Sequence, residues 1–353
     1  NMTCPHCYVA AGAKPSPGDL DTEQSKRVID DLAVSGVTTL IVSGGEPLLR
    51  ADVFELIERA RSRGLSVQLS TNGVLIDGAV ATRLKHLGIA YVGVSIDGPA
   101  DLNDRYRGLD GGFDRAVSAL GHLRAAGIRT GLRTTLTLQN VAFLPEMLEL
   151  AVATADRFYV SHLVYAGRAL KMIGDDLTPE RTRASLFWLF ERASELLREG
   201  HALRVVTGGN DSVAGLFLRW AQVRFGAEAG ENLLALLRRR GGNSAGEKLL
   251  NIDHRGCVHP DQFWQGTSLG RLPDQRLLDV LRHPLLHQLS HREERLTGRC
   301  GECSDRALCR GSHRERAEAT HGSLWASDPA CVLTDDEIGL YGDRPRKGLA
   351  HAC

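Results

Sequence analysis

Between residues 37 and 162 the chain alternates short apolar runs, rich in β-branched residues, with longer stretches whose apolar positions recur at helical spacing. The apolar runs cover 37–43, 65–70, 90–96, 129–138 and 157–162. The helical stretches cover 51–63, 77–87, 113–126 and 141–154, and the first three are followed by glycine at 64, 88 and 127. This alternation predicts a parallel sheet with right-handed crossovers, made of these five strands and one more directly before Asn1.

Polar clusters follow four of the predicted strands. They are Ser43-Gly44-Gly45-Glu46-Pro47, Ser70-Thr71-Asn72-Gly73, Ser95-Ile96-Asp97-Gly98 and Ser161-His162. Any one of them alone is explained by an ordinary polar turn. Because the carboxyl ends of parallel strands meet at one edge of the sheet, four clusters in register predict a functional site there.

After residue 162 the pattern changes to long helical stretches at 179–199, 212–225 and 230–240, followed by a Gly-rich segment at 241–246. The segments 248–253 and 257–264 flank a turn at 254–256 and predict a β-hairpin. A cysteine-rich stretch precedes a loose C-terminus. We therefore predict a partial barrel at 1–170, a helical connection at 171–246, a cysteine-rich domain at 247–340 and a tail at 341–353.

The charge balance excludes several classes of partner. Lys plus Arg and Asp plus Glu each number 43 in 353 residues, so the formal net charge is zero. Without a field of one sign, nucleic acid and anionic membranes are poor partners. Neither an apolar run of about eighteen residues nor a signal-peptide pattern occurs, which predicts a cytoplasmic protein.

Six of the eight cysteines fall in two groups near the chain ends, a distribution typical of metal ligation in a reducing compartment. Cys4 and Cys7 have the Cys-x2-Cys spacing, which zinc knuckles and thioredoxin-like redox pairs also use. A 4Fe-4S cluster needs about four ligands. For such a cluster we expect a third thiolate directly before Asn1, which completes Cys-x3-Cys-x2-Cys.

The loop at 44–47 favours an iron–sulfur cluster. Its two glycines leave backbone groups open to a ligand, and Glu46 offers a carboxylate to an ammonium group. Together with Cys4 and Cys7, one helix and one strand upstream, this loop resembles the GGEP motif of radical S-adenosylmethionine (SAM) enzymes. The resemblance implies an α/β fold, a partial (β/α)6 TIM-like barrel with parallel strands whose first strand precedes Asn1. It also implies a 4Fe-4S cluster on Cys4 and Cys7, and the cleavage of SAM to a 5'-deoxyadenosyl radical.

The same resemblance implies a SAM site at the strand ends. Tyr8 would pack beside the adenine and Glu46 would meet the methionine ammonium. Arg133 would pair with the carboxylate of SAM or of a substrate, and its alternative reading is a solvated arginine on a strand face. The implied SAM-binding residues are Tyr8, Gly44, Gly45, Glu46, Pro47, Asn72, Ser95, Asp97 and Arg133.

The C-terminal cysteines form a complete ligand set, Cys300-x2-Cys303-x5-Cys309-x21-Cys331. Four thiolates suit either a structural zinc ion or a 4Fe-4S cluster with no open iron. The group resembles the SPASM or twitch extension of radical SAM enzymes, which implies one auxiliary cluster for electron relay or for shaping the active site. Of the two remaining thiols, we expect Cys257 to be a buried apolar residue and Cys353 a thiol of the loose end.

Longer strings resemble one family within this superfamily. The strings at 161–168, 206–211, 241–246 and 258–264, with Trp325 and the segment 328–331, resemble the NirJ family of heme d1 biosynthesis. The chain departs from that family at Cys257 and at 265–267. The resemblance implies removal of propionate side chains from 12,18-didecarboxysiroheme, with a flavodoxin or ferredoxin as the low-potential electron donor.

A tetrapyrrole that bears several carboxylates needs Arg and His partners along an apolar slot. His162 or His259 also has the chemistry to ligate the siroheme iron. The alternative reading of each candidate is a hydrogen-bonded structural residue. The substrate candidates are His162, Tyr165, Arg168, Asn210 and His259.

Three alternatives stay open at this point. The first is a radical SAM decarboxylase of the alternative heme pathway, and the second is a SPASM maturase that modifies a precursor peptide. The third is a noncatalytic scaffold for a cluster or zinc. The intact loop at 44–47 argues against a scaffold, because a scaffold needs no SAM site.

Overall fold

The computed structural model describes residues 1–12 and 18–340, which form two compact units. Within those ranges the first unit comprises Asn1–Leu177, Trp188–Gly209 and Ala245–Ser290. The second comprises Thr178–Phe187, Asn210–Ser244 and the described chain from His291 onward. The domain boundaries at 170, 246 and 340 stay predictions, and the tail at 341–353 with Cys353 lies outside the described residues.

The first unit is built on one sheet of six parallel strands that follow one another in sequence order. All five predicted strands are present, but the sequence pattern missed β6, which lies in the stretch that we predicted to be a helical connection. Each strand pairs in register with its neighbour, as Leu40 does with Val67. The strands are β1 Thr39–Val42, β2 Ser66–Thr71, β3 Tyr91–Ser95, β4 Thr130–Leu136, β5 Arg157–His162 and β6 Arg204–Gly208.

Helices connect these strands, as parallel pairing requires. A capping box starts α1, in which Asp21 and Gln24 each accept a hydrogen bond from the backbone N–H of the other. The last turn of α4 is closed by Gly108 in the left-handed conformation, with φ of 70°. The helices are α1 Thr22–Val34, α2 Val53–Ser62, α3 Gly78–His86, α4 Ala100–Arg107, α5 Gly112–Ala125, α6 Leu144–Thr154 and α7 Pro179–Arg198. Short 3-10 helices span Pro47–Leu49, Val141–Phe143 and Gly167–Asp175.

The main core lies between the sheet and its helices. Val67, Val92, Leu132 and Phe158, one from each of β2 to β5, are fully buried, as is Ile57 of α2. Along β2 and β5 buried and half-buried residues alternate, because successive side chains of a strand point to opposite faces. The buried residues form the face that the helices cover, and the half-buried polar residues lie on the opposite face of the sheet.

A small antiparallel sheet also belongs to the first unit. Its strands β7 Asn251–Ile252 and β8 Cys257–His259 confirm the predicted hairpin, with shorter arms than expected. A third strand, β9 Gly270–Arg271, pairs with β8 and was not predicted. Cys257 is half-buried on β8 and is not the buried residue that we expected. Two short helices, Leu277–Val280 and Pro284–Ser290, follow.

The second unit is mainly helical. A hydrophobic cluster of Leu218, Leu237 and Leu308 joins three of its helices. Its helices are Val213–Phe225, Ala227–Arg240, Gly298–Glu302, Arg306–Cys309 and Arg314–His321, with a 3-10 turn at Arg292–Glu294. Among the residues that the structure describes in the whole chain, no helix combines the length and the apolar character that crossing a membrane requires.

Candidate active site

A cavity of about 200 Å³ opens at the carboxyl ends of the parallel strands in the first unit. The segment before α1 and the strand-end clusters together line it, so the four clusters converge as the sequence predicted. Pro47 is not among the lining residues and instead begins a 3-10 helix behind Glu46. The predicted residues that line the cavity are Cys4, Cys7, Tyr8, Gly44, Gly45, Glu46, Asn72, Ser95, Asp97, Arg133, His162 and Arg168.

Glu46 is held in the cavity wall by donors from two strand ends. Its Oε1 accepts the backbone N–H of Leu48 at 3.1 Å, and its Oε2 accepts the backbone N–H of Asn72 at 2.9 Å. The Thr71 hydroxyl lies 2.8 Å from Oε1 and 2.9 Å from Oε2. Burial raises the pKa of Glu46, and these hydrogen bonds oppose the rise by favouring the carboxylate. The Glu46 carboxylate therefore has a fixed orientation, and its negative charge is only partly neutralised.

Two further cavity residues have fixed orientations. Asn72 donates from Nδ2 to Oδ1 of Asn1 at 2.8 Å and accepts the N–H of Val74 at its own Oδ1. Arg133 donates to Oγ of Ser70 at 2.8 Å, and its guanidinium lies 4.9 Å from the ring centroid of Tyr159. Arg133 thus faces the cavity and is not the solvated strand arginine of the alternative reading.

Tyr8 and Ser95 complete the predicted SAM-binding set. Tyr8 packs edge-on against Phe263, with ring centroids 5.2 Å apart. Burial raises the pKa of its phenol. Ser95 ends β3 and is half-buried in the cavity wall.

The loop that carries Cys4 and Cys7 is anchored from the end of β5. Arg168 donates from Nε to the carbonyl oxygen of Cys4 and from Nη1 to that of Ala11, both at 2.8 Å. Before it, Gly167 has φ of 57°, and a Cβ added there would lie 2.3 Å from the carbonyl oxygen of Tyr8. Arg168 therefore holds the loop through its backbone, a contact that the substrate prediction did not include.

A second anchor, which the sequence reasoning missed, joins the same loop to the ends of β3 and α4. Asp97 is 1% exposed and accepts Nη2 of Arg107 at 2.5 Å and the N–H of Thr135 at 2.9 Å. His6 places Nε2 3.4 Å from Asp97, and Thr3 donates its N–H to the carbonyl oxygen of Arg107 at 3.0 Å. Burial opposes ionisation of Asp97, but Arg107 and His6 lower its pKa below the ordinary value. No local sequence pattern signals this anchor, because its contacts join separate segments of the chain.

Three substrate candidates do not line the cavity. The Tyr165 hydroxyl donates to Asp176 at 2.7 Å, and the ring belongs to a separate buried cluster. Nδ1 of His259 lies 2.6 Å from the carbonyl oxygen of Thr267. Asn210 belongs to the second unit, where its Nδ2 donates to the carbonyl oxygen of Ala330 at 2.7 Å. Among the five candidates, only His162 and Arg168 are cavity residues.

The second unit gathers Cys300, Cys303, Cys309 and Cys331. All four are free thiols, and the pKa of Cys309 is raised first by burial and then by the charge of its three partners. Burial likewise raises the pKa of Cys303 to about 11. The positive charge of Arg299 opposes the burial that raises the pKa of the Cys331 thiol. The four thiols influence one another's pKa values and have a cationic neighbour, and a set of this composition fits a group that binds cysteines as thiolates.

The donor sets of both places fit iron–sulfur chemistry. In the first unit two thiols, a fixed carboxylate and an arginine share one cavity, so sulfur ligands adjoin groups that bind an amino acid. In the second unit the ligand set consists of cysteine alone.

Residues 1–151 match the family model of the radical SAM superfamily. Pre-heme d1 synthase of Dinoroseobacter shibae is 41% identical to this chain over 350 residues, which cover 98% of the chain and 87% of that protein. The chain belongs to the radical SAM superfamily. Membership confirms the predicted family and enzyme class, and it implies a 4Fe-4S cluster and SAM as cofactors.

Two further likenesses support the superfamily fold. Fe-coproporphyrin III synthase of Methanosarcina barkeri is 38% identical over 348 residues, covering 97% of this radical SAM chain and 87% of that protein. The solved structure of native anSMEcpe with bound AdoMet superposes with a TM-score of 0.72 at 19% identity, covering 97% of this chain and 93% of that one. The latter likeness confirms the predicted α/β fold class, a partial TIM-like barrel.

Proposed function

We propose that this radical SAM enzyme removes propionate side chains from 12,18-didecarboxysiroheme in heme d1 biosynthesis. The observation that carries the proposal is the 41% identity to a pre-heme d1 synthase across nearly the whole chain. The strings at 161–168, 206–211 and 258–264, which resemble the NirJ family, lie within the matched length. A cytoplasmic location and a flavodoxin or ferredoxin as electron donor belong to the same proposal.

Cys4 and Cys7 would hold the SAM-binding 4Fe-4S cluster at the cavity. Cluster and SAM together supply a one-electron cleavage that yields the 5'-deoxyadenosyl radical. The backbone contacts of Arg168 support this role, because they fix the loop that presents both sulfurs to the cavity. The protein then orients SAM and excludes water.

Glu46 would bind the ammonium of SAM. Three donors already hold its carboxylate, so an ammonium completes the neutralisation of a buried charge. Arg133 would bind the SAM carboxylate, since its guanidinium faces the cavity and bonds only to a neutral serine among the hydrogen bonds described. Tyr8 would pack beside the adenine, while Asn72, Ser95 and the backbone of Gly44 and Gly45 would complete the site.

Cys300, Cys303, Cys309 and Cys331 would hold the auxiliary 4Fe-4S cluster. Support comes from the complete set of four cysteines in one unit and from Arg299, whose charge favours the thiolate of Cys331. The auxiliary cluster would relay the electron that fragmentation of the substrate releases. Replacing Cys309 by Ala should therefore spare SAM cleavage and block product formation, and normal product formation by that variant would exclude the relay.

His162 is the cavity residue best suited to a tetrapyrrole. It is 5% exposed and ends β5 in the cavity wall, so it offers an imidazole to the substrate iron or to a carboxylate. Arg168 would bind a substrate carboxylate in addition to anchoring the cysteine loop. Tyr165, His259 and Asn210 would support substrate binding indirectly.

A second candidate is synthesis of Fe-coproporphyrin III. It is favoured by the 38% identity to the Methanosarcina barkeri enzyme of that name, which covers nearly as much of the chain. Both candidates place a carboxylate-rich tetrapyrrole in contact with the same cavity, so only the product distinguishes them.

The test is anaerobic product analysis. The full-length protein, reconstituted with iron and sulfide, is incubated with SAM, dithionite and 12,18-didecarboxysiroheme, and the products are measured by liquid chromatography and mass spectrometry. We expect substrate-dependent 5'-deoxyadenosine and a tetrapyrrole lighter by propionate fragments. Fe-coproporphyrin III as product would favour the second candidate. Cleaved SAM with an unchanged tetrapyrrole would refute both substrate assignments.

A further inference from the structure

A buried ion pair lies beside the cysteine loop of the first unit. Arg107 is 5% exposed at the end of α4, and Asp97 is 1% exposed after β3. Their closest atoms, Nη2 and Oδ2, are 2.5 Å apart. Backbone and hydroxyl groups of Thr135 and Thr134 donate to Oδ1 of Asp97 at 2.9 Å and 3.3 Å. The pair is therefore fixed from β3, β4 and α4 at once, and neither charge can move independently.

Two buried polar atoms, one in the ion pair and one in the neighbouring His6, have no hydrogen-bond partner among the described residues. They are Nε of Arg107 and Nδ1 of His6. Both residues line the cavity together with Cys4. Nε of an arginine always carries a proton and donates it. A buried donor without an acceptor indicates that a bound group supplies the acceptor.

Backbone contacts connect Arg107 to the segment that carries Cys4. The carbonyl oxygen of Arg107 accepts the backbone N–H of Thr3, the residue before Cys4, at 3.0 Å. Arg107, Asp97 and Cys4 all line the same cavity. One positive and one negative charge, both held in place, therefore lie at the cavity that Cys4 lines.

We propose that Arg107, held by Asp97, sets the reduction potential of the cluster that Cys4 and Cys7 hold. This inference rests on the cluster assignment of the proposed function. Arg107 is a positioning residue, because it acts through the Cys4 ligand and not on the substrate. A fixed cation and a buried N–H donor at the cavity that holds the cluster stabilise the more negative, reduced cluster, since net charge and hydrogen bonds determine cluster potentials.

The two members of the pair predict shifts of opposite sign. Arg107→Gln removes the cation and leaves the buried carboxylate, so the cluster becomes harder to reduce. Asp97→Asn leaves the cation uncompensated, so the cluster becomes easier to reduce. The double variant removes both charges and lies between them. Damage to the loop alone would lower the loading of all three variants and would not produce opposite shifts.

The experiment is a redox titration followed by electron paramagnetic resonance, on the full-length reconstituted protein without substrate. The SAM-binding cluster is identified as the signal that changes when SAM is added. Arg107→Gln, Asp97→Asn and the double variant are compared with Arg105→Gln, a matched control on the exposed face of the same helix. Iron per chain is measured for every sample.

At a fixed ambient potential we expect the ratio of reduced to oxidised cluster to fall about tenfold in Arg107→Gln, which is a shift of about 59 mV for one electron. The ratio should rise in Asp97→Asn and stay at the native value in Arg105→Gln. Shifts of the same sign in both single variants, or unchanged potentials at native iron content, would overturn the proposal.

If Arg107→Gln does not load iron, Arg107→Lys decides the question. Lysine keeps the charge but lacks the guanidinium N–H groups, so we expect a smaller fall of the same sign. An unchanged potential in an Arg107→Lys protein that carries iron, without a rise in Asp97→Asn, would refute the proposal.

Failure of the proposed function gives a different result. If the substrate assignment is incorrect, these shifts in potential remain. If the cluster assignment is incorrect, the native protein shows no SAM-dependent signal.

Discussion

At the residue scale, Glu46 shows how a binding site costs stability. Burial raises its pKa above the usual 4.5, so the folded protein binds the proton of Glu46 more tightly than the unfolded chain does. A group of this kind stabilises the fold most below its unfolded pKa and loses that contribution as pH rises through its folded pKa. We therefore expect the metal-free Glu46→Gln variant to gain stability relative to the native protein between about pH 5 and about pH 8.

Thermal unfolding of both proteins at the two pH values measures this difference, because all other titrating groups are shared. Glu58→Gln, at an exposed position on α2, is the control and should show no such trend. Equilibrium dialysis should also show SAM affinity at least tenfold weaker in Glu46→Gln, about 1.4 kcal/mol. A difference from native stability that does not change with pH would contradict the raised pKa.

The sequence was sufficient to predict cavity residues that a single predicted strand places at the site. Glu46 and Asn72 follow predicted strands and Arg133 lies within one, and the three converge because parallel strands share an edge. Arg107 and His6 escaped prediction since their role depends on contacts with Asp97, which no local pattern encodes. Distant pairing of charges is a tertiary property, visible only once β3 and α4 have both been placed.

At the element scale, the 3-10 segment Gly167–Asp175 fixes the cysteine loop through a close backbone approach. Alanine at position 167 would have a left-handed φ and a Cβ 2.3 Å from the Tyr8 carbonyl oxygen. We expect Gly167→Ala to lower the free energy of unfolding by about 1–3 kcal/mol and to reduce iron bound at the first site. Calorimetry and iron analysis check this. Gly174→Ala, in the same segment with open space around it, should retain native values in both measurements.

Strand β6 shows why the element count from sequence fell short. It consists of Arg-Val-Val-Thr-Gly and forms the edge of the sheet, with its residues exposed or half-buried. An edge strand of this kind needs few apolar residues, so its signal resembles that of a loop. The inner strands β2 to β5 were predictable because each has buried residues on at least one face. The other edge strand, β1, was predictable because its Thr-Leu-Ile-Val run is mostly apolar.

In the second unit, a buried ion pair supports the segment that ends in Cys331. Nε and Nη2 of Arg316 donate to Oδ1 and Oδ2 of Asp328 at 2.9 Å and 2.8 Å, and both side chains are inaccessible to solvent. Burial opposes ionisation of Asp328, yet Arg316 lowers its pKa to about 2. We expect Asp328→Asn to lower the free energy of unfolding by about 3–5 kcal/mol, because a buried guanidinium loses its counter-charge.

Denaturant unfolding of metal-free protein tests this expectation, with exposed Asp336→Asn as the control. Equal stabilities of the two variants would mean that other groups neutralise Arg316.

At the scale of the whole molecule, two cysteine sets belong to two units, each with its own hydrophobic cluster. Loss of one set should therefore leave the other able to assemble. If each holds a 4Fe-4S cube, the reconstituted full-length protein contains about eight irons per chain and Cys309→Ala contains about four. The variant should still cleave SAM, since Cys4, Cys7 and Glu46 all lie in the first unit.

Metal analysis by mass spectrometry distinguishes this result from tetrahedral zinc, for which the native protein would contain about four irons and about one zinc. Loss of all iron in Cys309→Ala would contradict independent assembly and would mean that the two units fold around their clusters as one.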